Sequence, residues 1–274
     1  PRSLSTTKEQ TKAHIALKVA YLGWDYHGFA RHNLLPTIEG NLFTALEKTH
    51  LIQSIEHAKY SRCGRTDAGV SAFSQVIGLE INQKSPQQTG NRIVSMLNSN
   101  LPKDIRVLNW ARTESHFDAR HDCLSRTYKY YFPRQNLNLE LMQKAAEKFV
   151  GTQDFRNFCK VRGAKQQSEY RRTIYQVAIE PSKTLAHLTS PERQLCELTI
   201  RGRSFLWHQV RCMTAILFLV GQGLESPSIV DYLLNIESTP SKPHYEMACE
   251  TPLVLYDSEY KHLKWNTSTT PDLV

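Results

Sequence analysis

SRCGRTDAGVSA, residues 61–72, is the stretch on which the reading of this chain turns. An extended run ends near Tyr60 and another begins at Phe73, so the stretch reads as a loop gripped by β-structure at both ends. Gly64 and Gly69 stand on either side of Arg65-Thr66-Asp67, where glycine permits positive φ and a close approach of backbone to a ligand. The loop presents one carboxylate, Asp67, with a guanidinium two residues earlier. Arg65 is expected to favour the ionised form of Asp67 and to lower its pKa. A positioned, partly desolvated carboxylate suits covalent or general-base chemistry. An Arg-x-Asp in a glycine-containing turn is also a common Asx turn with a surface ion pair worth about 0–1 kcal/mol, so the rest of the chain must decide what the loop is for.

Outward from the loop, residues 14–21 alternate Ile15, Leu17 and Val19 as a strand does. Residues 37–51 carry Ile38, Leu42 and Leu46 on one helical face behind Pro36. Residues 73–81 are extended, 88–101 helical (Ile93, Met96, Leu97) up to Pro102, and 105–111 a strand. The second half repeats the theme without detectable identity: a strand at 127–132, a helix at 139–150 closed by Gly151, strands at 170–180 and 195–201, and a strongly apolar helix at 205–220. A helix at 226–235 with Ser226 as N-cap and Pro227 in its first turn follows, then a strand at 253–257. The expected class is α/β in the α+β sense. Two split-βαβ, RRM- or ferredoxin-like subdomains share a mixed, mostly antiparallel sheet flanked by helices, with a basic active-site cleft between them. The expected boundaries are a polar arm at 1–12, subdomains at 13–112 and 113–265, and a tail at 266–274, with loops at 83–89 and 181–192.

Of the 274 residues, 40% are hydrophobic and 22% charged, which excludes wholesale disorder and leaves no need for a metal or disulfide staple. Thirty-four basic against 26 acidic residues give a net charge of +8, which favours a polyanionic partner. Six widely spaced cysteines with no CxxC pair exclude a zinc ribbon or a thioredoxin-like site and read as buried thiols of a reducing compartment. The longest apolar stretch, 213–220, is far short of the roughly 20 residues a bilayer span needs. The expectation is a soluble protein of the cytoplasm or nucleus, with a mitochondrial pool also compatible, and no membrane partner. His27/His32 and His116/His121 are off the i, i+4 spacing of a helical zinc pair, and no HExxH, GxxxxGK[ST] or GxSxG occurs. Gly221-x-Gly223 reads as a helix C-terminal cap.

GRTDAGVSA, residues 64–72, closely resembles the signature loop of the TruA-type tRNA pseudouridine synthases. YLGWDYHGF (21–29) is similar to that family's first strand and turn, and FDARHDCLSRTYKYYF (117–132) to its arginine- and tyrosine-bearing segment. FLWHQVRCMTAILFLVGQG (205–223) resembles its helix opening on an HxVR-like motif, and KPHYEMACETPLVLYD (242–257) its closing strand. The matches run in family order over nearly the whole chain. YKYYFPR, TQDFRNFCK (152–160) and PLVLYD point to the eukaryotic branch, which acts on uridines 38 and 39 of the anticodon stem-loop. Ala68 departs from the lysine which that branch often carries after the aspartate.

The resemblance implies an isomerase that turns uridine into pseudouridine in tRNA with no cofactor and no metal, acting as a homodimer. It implies that Asp67 is the essential carboxylate, attacking C1′ or C6 or taking the C2′ proton. Each route needs the uridine to leave its stack first. Arg65 is implied to occupy the space of the everted base, Tyr128 to stack on the uracil for about 1–3 kcal/mol, and Leu253 to pack beside it. Arg211 is implied to pair with Asp67, and a lone arginine on an apolar helix does call for a carboxylate. Tyr128 and Tyr130 share one strand face, Lys129 and Tyr131 the other. Arg62, Arg126, Lys129, Lys160, Arg162 and Arg171, with Arg120, Arg134, Lys165 and Arg172, are candidates for holding phosphates, with steep salt dependence.

Two other classes are weighed. A non-catalytic RNA-binding module would explain the charge and the aromatic strands but lacks an RNP1 sequence and leaves the glycine-bracketed loop without a purpose. An Asp-nucleophile hydrolase would need further acids around a divalent ion, and no DxD accompanies Asp67.

Overall fold

A computed structural model describes residues 11–83, 90–160, 170–182 and 194–267. The first half runs β1 (Thr11–Tyr21), α1 (Ile38–Lys48), β2 (Ser61–Arg62), β3 (Ser71–Gln83), α2 (Gly90–Asn98) and β4 (Ile105–Arg112). The second runs β5 (Cys123–Pro133), α3 (Leu139–Glu147), β6 (Gly151–Asp154), β7 (Arg171–Pro181), β8 (Leu195–Gly202), α4 (Gln209–Gly221), α5 (Ile229–Leu234) and β9 (Leu253–Tyr260), with β10 (Asn266–Thr267) after it. Local chemistry sets these elements. Thr37, extended, accepts the Gly40 N–H to open α1, and Asn138 accepts the Leu141 N–H to open α3, as short polar caps do for the unpaired amides of a first turn.

The ten strands among the described residues join one sheet, in the order β10-β4-β1-β3-β9-β5-β8-β7-β6, with β2 on β3. Each half contains the same antiparallel order of a split-βαβ unit: β4-β1-β3-β2 in the first and β9-β5-β8-β7 in the second. The two units meet where β3 and β9 pair in parallel through Ser71–Val254 and Ala72–Leu255. The β3 edge that faces the second half is therefore shared. β2 takes Gly78 and Ile77, β9 takes Ser71 and Ala72, and residues 63–70 leave and re-enter the sheet between them.

The helices lie on one face. Leu42 and Leu46 of α1 and Ile93 and Leu97 of α2 bury against Leu17, Val19, Ile77 and Leu79. In the second half Met142, Met213, Leu217 and Val230 bury against Phe132, Leu198 and Ile200. Tyr128 packs against both cores. The opposite face holds a small cluster of Ala16, Cys63, Val76 and Cys123, closed by Phe117, Tyr260, Leu263 and Trp265. Among the described residues no helix is long and apolar enough to cross a membrane.

Two helices differ from the sequence expectation. The apolar helix begins at Gln209, not Phe205, because His208 sits in the left-handed region (φ 63°) and the Gln209 side chain turns back to accept the Leu206 N–H at 2.8 Å. Residues 206–209 form a turn instead, the Gln209 N–H donating to the Leu206 carbonyl at 3.1 Å. The helix expected from Ser226 begins at Ile229: the Ser226 carbonyl accepts the Ile229 N–H, and its hydroxyl lies 2.6 Å from the Ser228 hydroxyl instead of capping the helix. Strands β6 and β10, four and two residues long, are too short to carry a periodic signal.

Candidate active site

The loop between β2 and β3 is anchored to both halves. The Cys63 N–H donates to Val76 O at 2.8 Å, and its carbonyl accepts from Arg126 Nη2 at 2.8 Å. The Gln75 side chain spans Gly64, accepting its N–H and donating to its carbonyl. The Thr66 hydroxyl lies 2.8 Å from the Tyr21 phenol, its carbonyl accepts the Phe29 N–H, and Gly69 donates to Tyr26 O. Val70 buries in the second-half core. Only Gly69 uses glycine's freedom: its φ is +78°, and a Cβ there would stand 2.6 Å from Glu250 Cγ. Gly64, expected to do the same, has neither a positive φ nor a neighbour within reach of a Cβ. The turn at 23–29 presses on the loop from the other side, since a Cβ on Gly23 would meet Val70 O at 2.0 Å.

Asp67 stands at the crown of this loop and meets the turn that precedes α4. The Trp207 indole N–H donates to Oδ1 at 3.1 Å, and His208 Nε2 lies 3.5 Å from Oδ2. Burial pushes the His208 imidazole down to about 4, with the charges of Arg211, Lys160 and Lys242 acting in the same direction. At neutral pH His208 is thus uncharged, and its contact with Asp67 is not an ion pair. Its Nδ1 is buried without a hydrogen-bond partner among the described residues.

Burial raises the Asp67 carboxyl above its ordinary value. Arg211 and the Trp207 hydrogen bond pull it back, and the Glu250 charge adds to the rise. Two expectations are corrected here. Arg65 does not lower the Asp67 pKa: its side chain is exposed, and among the described residues it makes no ion pair or hydrogen bond, so water screens it. Arg211 does not pair with Asp67 directly. Its Nη2 meets Glu250 Oε2 at 2.7 Å, and its Nε donates to Ala248 O at 2.8 Å. The guanidinium found the carboxylate that physics demanded, but a different one, because residues 248–250 run alongside α4.

Residues 145–261 match a family model described as tRNA pseudouridine synthase. A tRNA pseudouridine(38/39) synthase of Bos taurus is 48% identical over 92% of this chain and 56% of its own length. A probable tRNA pseudouridine synthase of Caenorhabditis elegans is 38% identical over 90% of this chain and 67% of its own. A tRNA pseudouridine synthase A of Methanosphaera stadtmanae is 32% identical over 93% of this chain and 86% of its own. The chain belongs to the tRNA pseudouridine synthase family. It spans little more than half the length of the vertebrate relatives it matches.

Within this family member, the other residues singled out in the sequence fall into two groups. Tyr128 is near the site. Its ring meets Phe205 edge-on at 5.1 Å, and burial raises its phenol, with the Asp67 charge a smaller cause in the same direction. Lys160 Nζ lies 5.0 Å over the Trp207 ring, beside the Asp67 contact. Leu253 is buried in the second-half core, paired across the sheet with Tyr130.

Three of the remaining basic residues, Arg62, Arg126 and Lys129, are occupied elsewhere. Arg62 is hydrogen-bonded to the buried Glu39, which also accepts from Tyr60 OH and the Arg31 N–H. Arg126 is buried and donates to the carbonyls of Cys63, Arg120 and Arg203. Neither side chain is free for a phosphate. Lys129 is on the opposite face from Tyr128, paired with Glu197 at 2.7 Å and lying 4.4 Å over the Tyr256 ring. Arg171 is exposed at the start of β7. Arg162 and Lys165 lie outside the described residues.

Trp207, His208, Lys242 and Glu250 were not singled out as functional from sequence. In the sequence Trp207 is one more apolar residue of the stretch 205–220. The pattern that could have exposed it is the interruption of an apolar helix by Trp-His-Gln at its very start. Among the described residues no three His, Cys, Asp or Glu side chains gather in a way that would hold a metal ion.

Proposed function

We propose that this protein isomerises uridine to pseudouridine in the anticodon stem-loop of tRNA, at positions 38 and 39, with Asp67 as the essential carboxylate and no cofactor. The reading rests on one observation above the others: Asp67, a partly desolvated carboxylate, is presented at the seam of the two units, beside Tyr128, Trp207, Arg211 and Lys160. The names borne by the vertebrate relatives support the choice of positions.

The reaction breaks the N1–C1′ bond, turns the uracil, and joins C5 to C1′. The C5 hydrogen passes to water and N1 gains a proton, so atoms balance without a co-reactant. Every route open to Asp67 needs its charged form, and the neutral Trp207 indole N–H holds that carboxylate without neutralising it. In this reading Tyr128 offers an aromatic surface for the everted base, and Arg65, whose side chain is exposed, takes the place of the base in its stack. A basic cleft between the units and a homodimer sharing the tRNA belong to the same proposal. The dimer rests on the family resemblance alone. A reducing compartment, cytoplasm or nucleus, suits the six free thiols.

Tritium release from [5-³H]uridine-labelled tRNA tests the reading. Release by the wild-type chain, its loss with Asp67→Ala, and retained tRNA binding by that variant are expected. No release by the wild-type chain, or undiminished release by the variant, overturns it. Mapping the product to positions 38 and 39 tests the choice of uridine.

A further inference from the structure

Of the four tryptophans, Trp24 alone is exposed, at 60%. It stands on the turn that wraps the Asp67 loop. The Phe29 N–H donates to Thr66 O and the Gly69 N–H to Tyr26 O, both at 3.1 Å. A Cβ on Gly28 would lie 3.4 Å from the Asp67 carbonyl carbon. The turn belongs to the first unit, yet the Trp24 indole N–H donates to the carbonyl of Thr251, in the second, at 3.4 Å. Thr251 follows directly on residues 248–250, which Ala248 ties to α4 through its N–H and its carbonyl. Trp24 thus lies across the seam, with its one side-chain polar atom occupied and more than half of its surface open to solvent.

We propose that Trp24 stacks on an unpaired base of the substrate RNA, beside the uridine that Asp67 meets. The inference rests on this chain acting on tRNA, and adds a binding residue outside the pocket for the target base. Turning one uridine out of its stack loosens the unpaired bases next to it. A loop base that has lost a stacked neighbour is free to splay, and an aromatic side chain gives it a new one. An indole beside the carboxylate loop serves any of the four bases, because every base has a π-face. A phosphate is not its ligand: the indole carries no charge, and its only donor is spent on Thr251. The net charge of +8 brings the polyanion to the surface, and the ring then holds a part of it that carries no charge.

Trp24→Phe keeps an aromatic ring, and Trp24→Leu keeps only an apolar side chain. Affinity for tRNA is expected to fall in the order wild type, Trp24→Phe, Trp24→Leu. The last should bind about 5- to 150-fold more weakly, which corresponds to about 1–3 kcal/mol of stacking. The slope of log affinity against log salt should not change, since no phosphate contact is lost. A purely structural role for the Thr251 bond affects both variants alike, because both lack the donor. With 5-fluorotryptophan in place of tryptophan, the ¹⁹F signal missing from Trp24→Phe reports on Trp24 with no variant in the binding step. That signal is expected to shift on addition of an anticodon stem-loop RNA and to stay in place with heparin, a polyanion without bases. Phe and Leu variants that bind alike, or a signal unmoved by the RNA, overturn the inference. So does a signal that moves with protein concentration in the absence of RNA, which means that a second copy covers the ring. A wild-type chain that shows the RNA-induced shift but releases no tritium overturns the functional reading instead.

Discussion

The indole N–H of Trp207 meets Oδ1 of Asp67 at 3.1 Å, joining positions 140 residues apart in the chain. The bond exists because α4 starts late. His208 is left-handed and helical backbone starts only at Gln209, so Trp207 lies in the turn before the helix. Trp207→Phe keeps an aromatic ring and removes the donor. A hydrogen bond to a charged group is worth about 1.5–3 kcal/mol, so single-turnover tritium release is expected to fall by about tenfold or more. Filter-binding affinity for tRNA should stay nearly unchanged.

Asp67→Asn is expected to abolish release and to raise thermal stability at neutral pH. The sign follows from its raised folded pKa. Below the unfolded value both states are protonated and burial carries no penalty. As pH rises through the folded value the native state alone has to hold a desolvated charge. Melting curves of the two proteins should therefore separate near pH 7 and converge in acid.

For His208 the direction is opposite. Its folded value is pushed down to about 4 from the ordinary 6.5, first by burial, so the unfolded chain binds the extra proton and wild-type stability falls as pH drops from about 6.5 to about 4. His208→Asn, which keeps a residue tolerant of the left-handed backbone, should flatten that decline in a pH series of melting temperatures.

Arg126 and Lys160 should separate cleanly. Arg126→Ala leaves buried carbonyls of Cys63, Arg120 and Arg203 without their donor. A loss of about 3 kcal/mol, or roughly 6–12 °C in Tm, is expected. Lys160→Ala, at an exposed position over Trp207, should leave Tm alone. It should weaken tRNA binding and reduce the slope of log affinity against log salt by about one.

Gly69→Ala forces a side chain into a positive φ, at about 1–2 kcal/mol, and pushes against Glu250. Activity should fall further than the drop in Tm accounts for, and a neighbouring Gly64→Ala, where nothing stands within reach of a Cβ, should be mild in both measurements.

The alternation of Ile15, Leu17 and Val19, and the helical spacing of Ile38, Leu42 and Leu46, were legible because each depends only on neighbours along the chain, and both became core. The same holds for Tyr128 and Lys129, which lie on opposite faces as a two-residue period requires. The loop that carries Asp67 was legible because the turn chemistry around it is local. Arg62, Arg126 and Arg211 were not. An arginine in the sequence announces a charge and a long reach, but whether it meets a phosphate, a carbonyl or a carboxylate depends on what other strands bring within a few ångströms.

From its amino acids alone this chain determines two split-βαβ units, a glycine-hinged acidic loop and the family to which it belongs, since periodicity, turn chemistry and motif order are written along one dimension. Only the tertiary structure decided that β9 completes the edge of β3, that Glu250 and not Asp67 receives Arg211, and that Trp207 and His208 receive Asp67. Electrostatic and hydrogen-bond partnerships fall off over a few ångströms of space, and separation along the sequence carries almost no information about that distance.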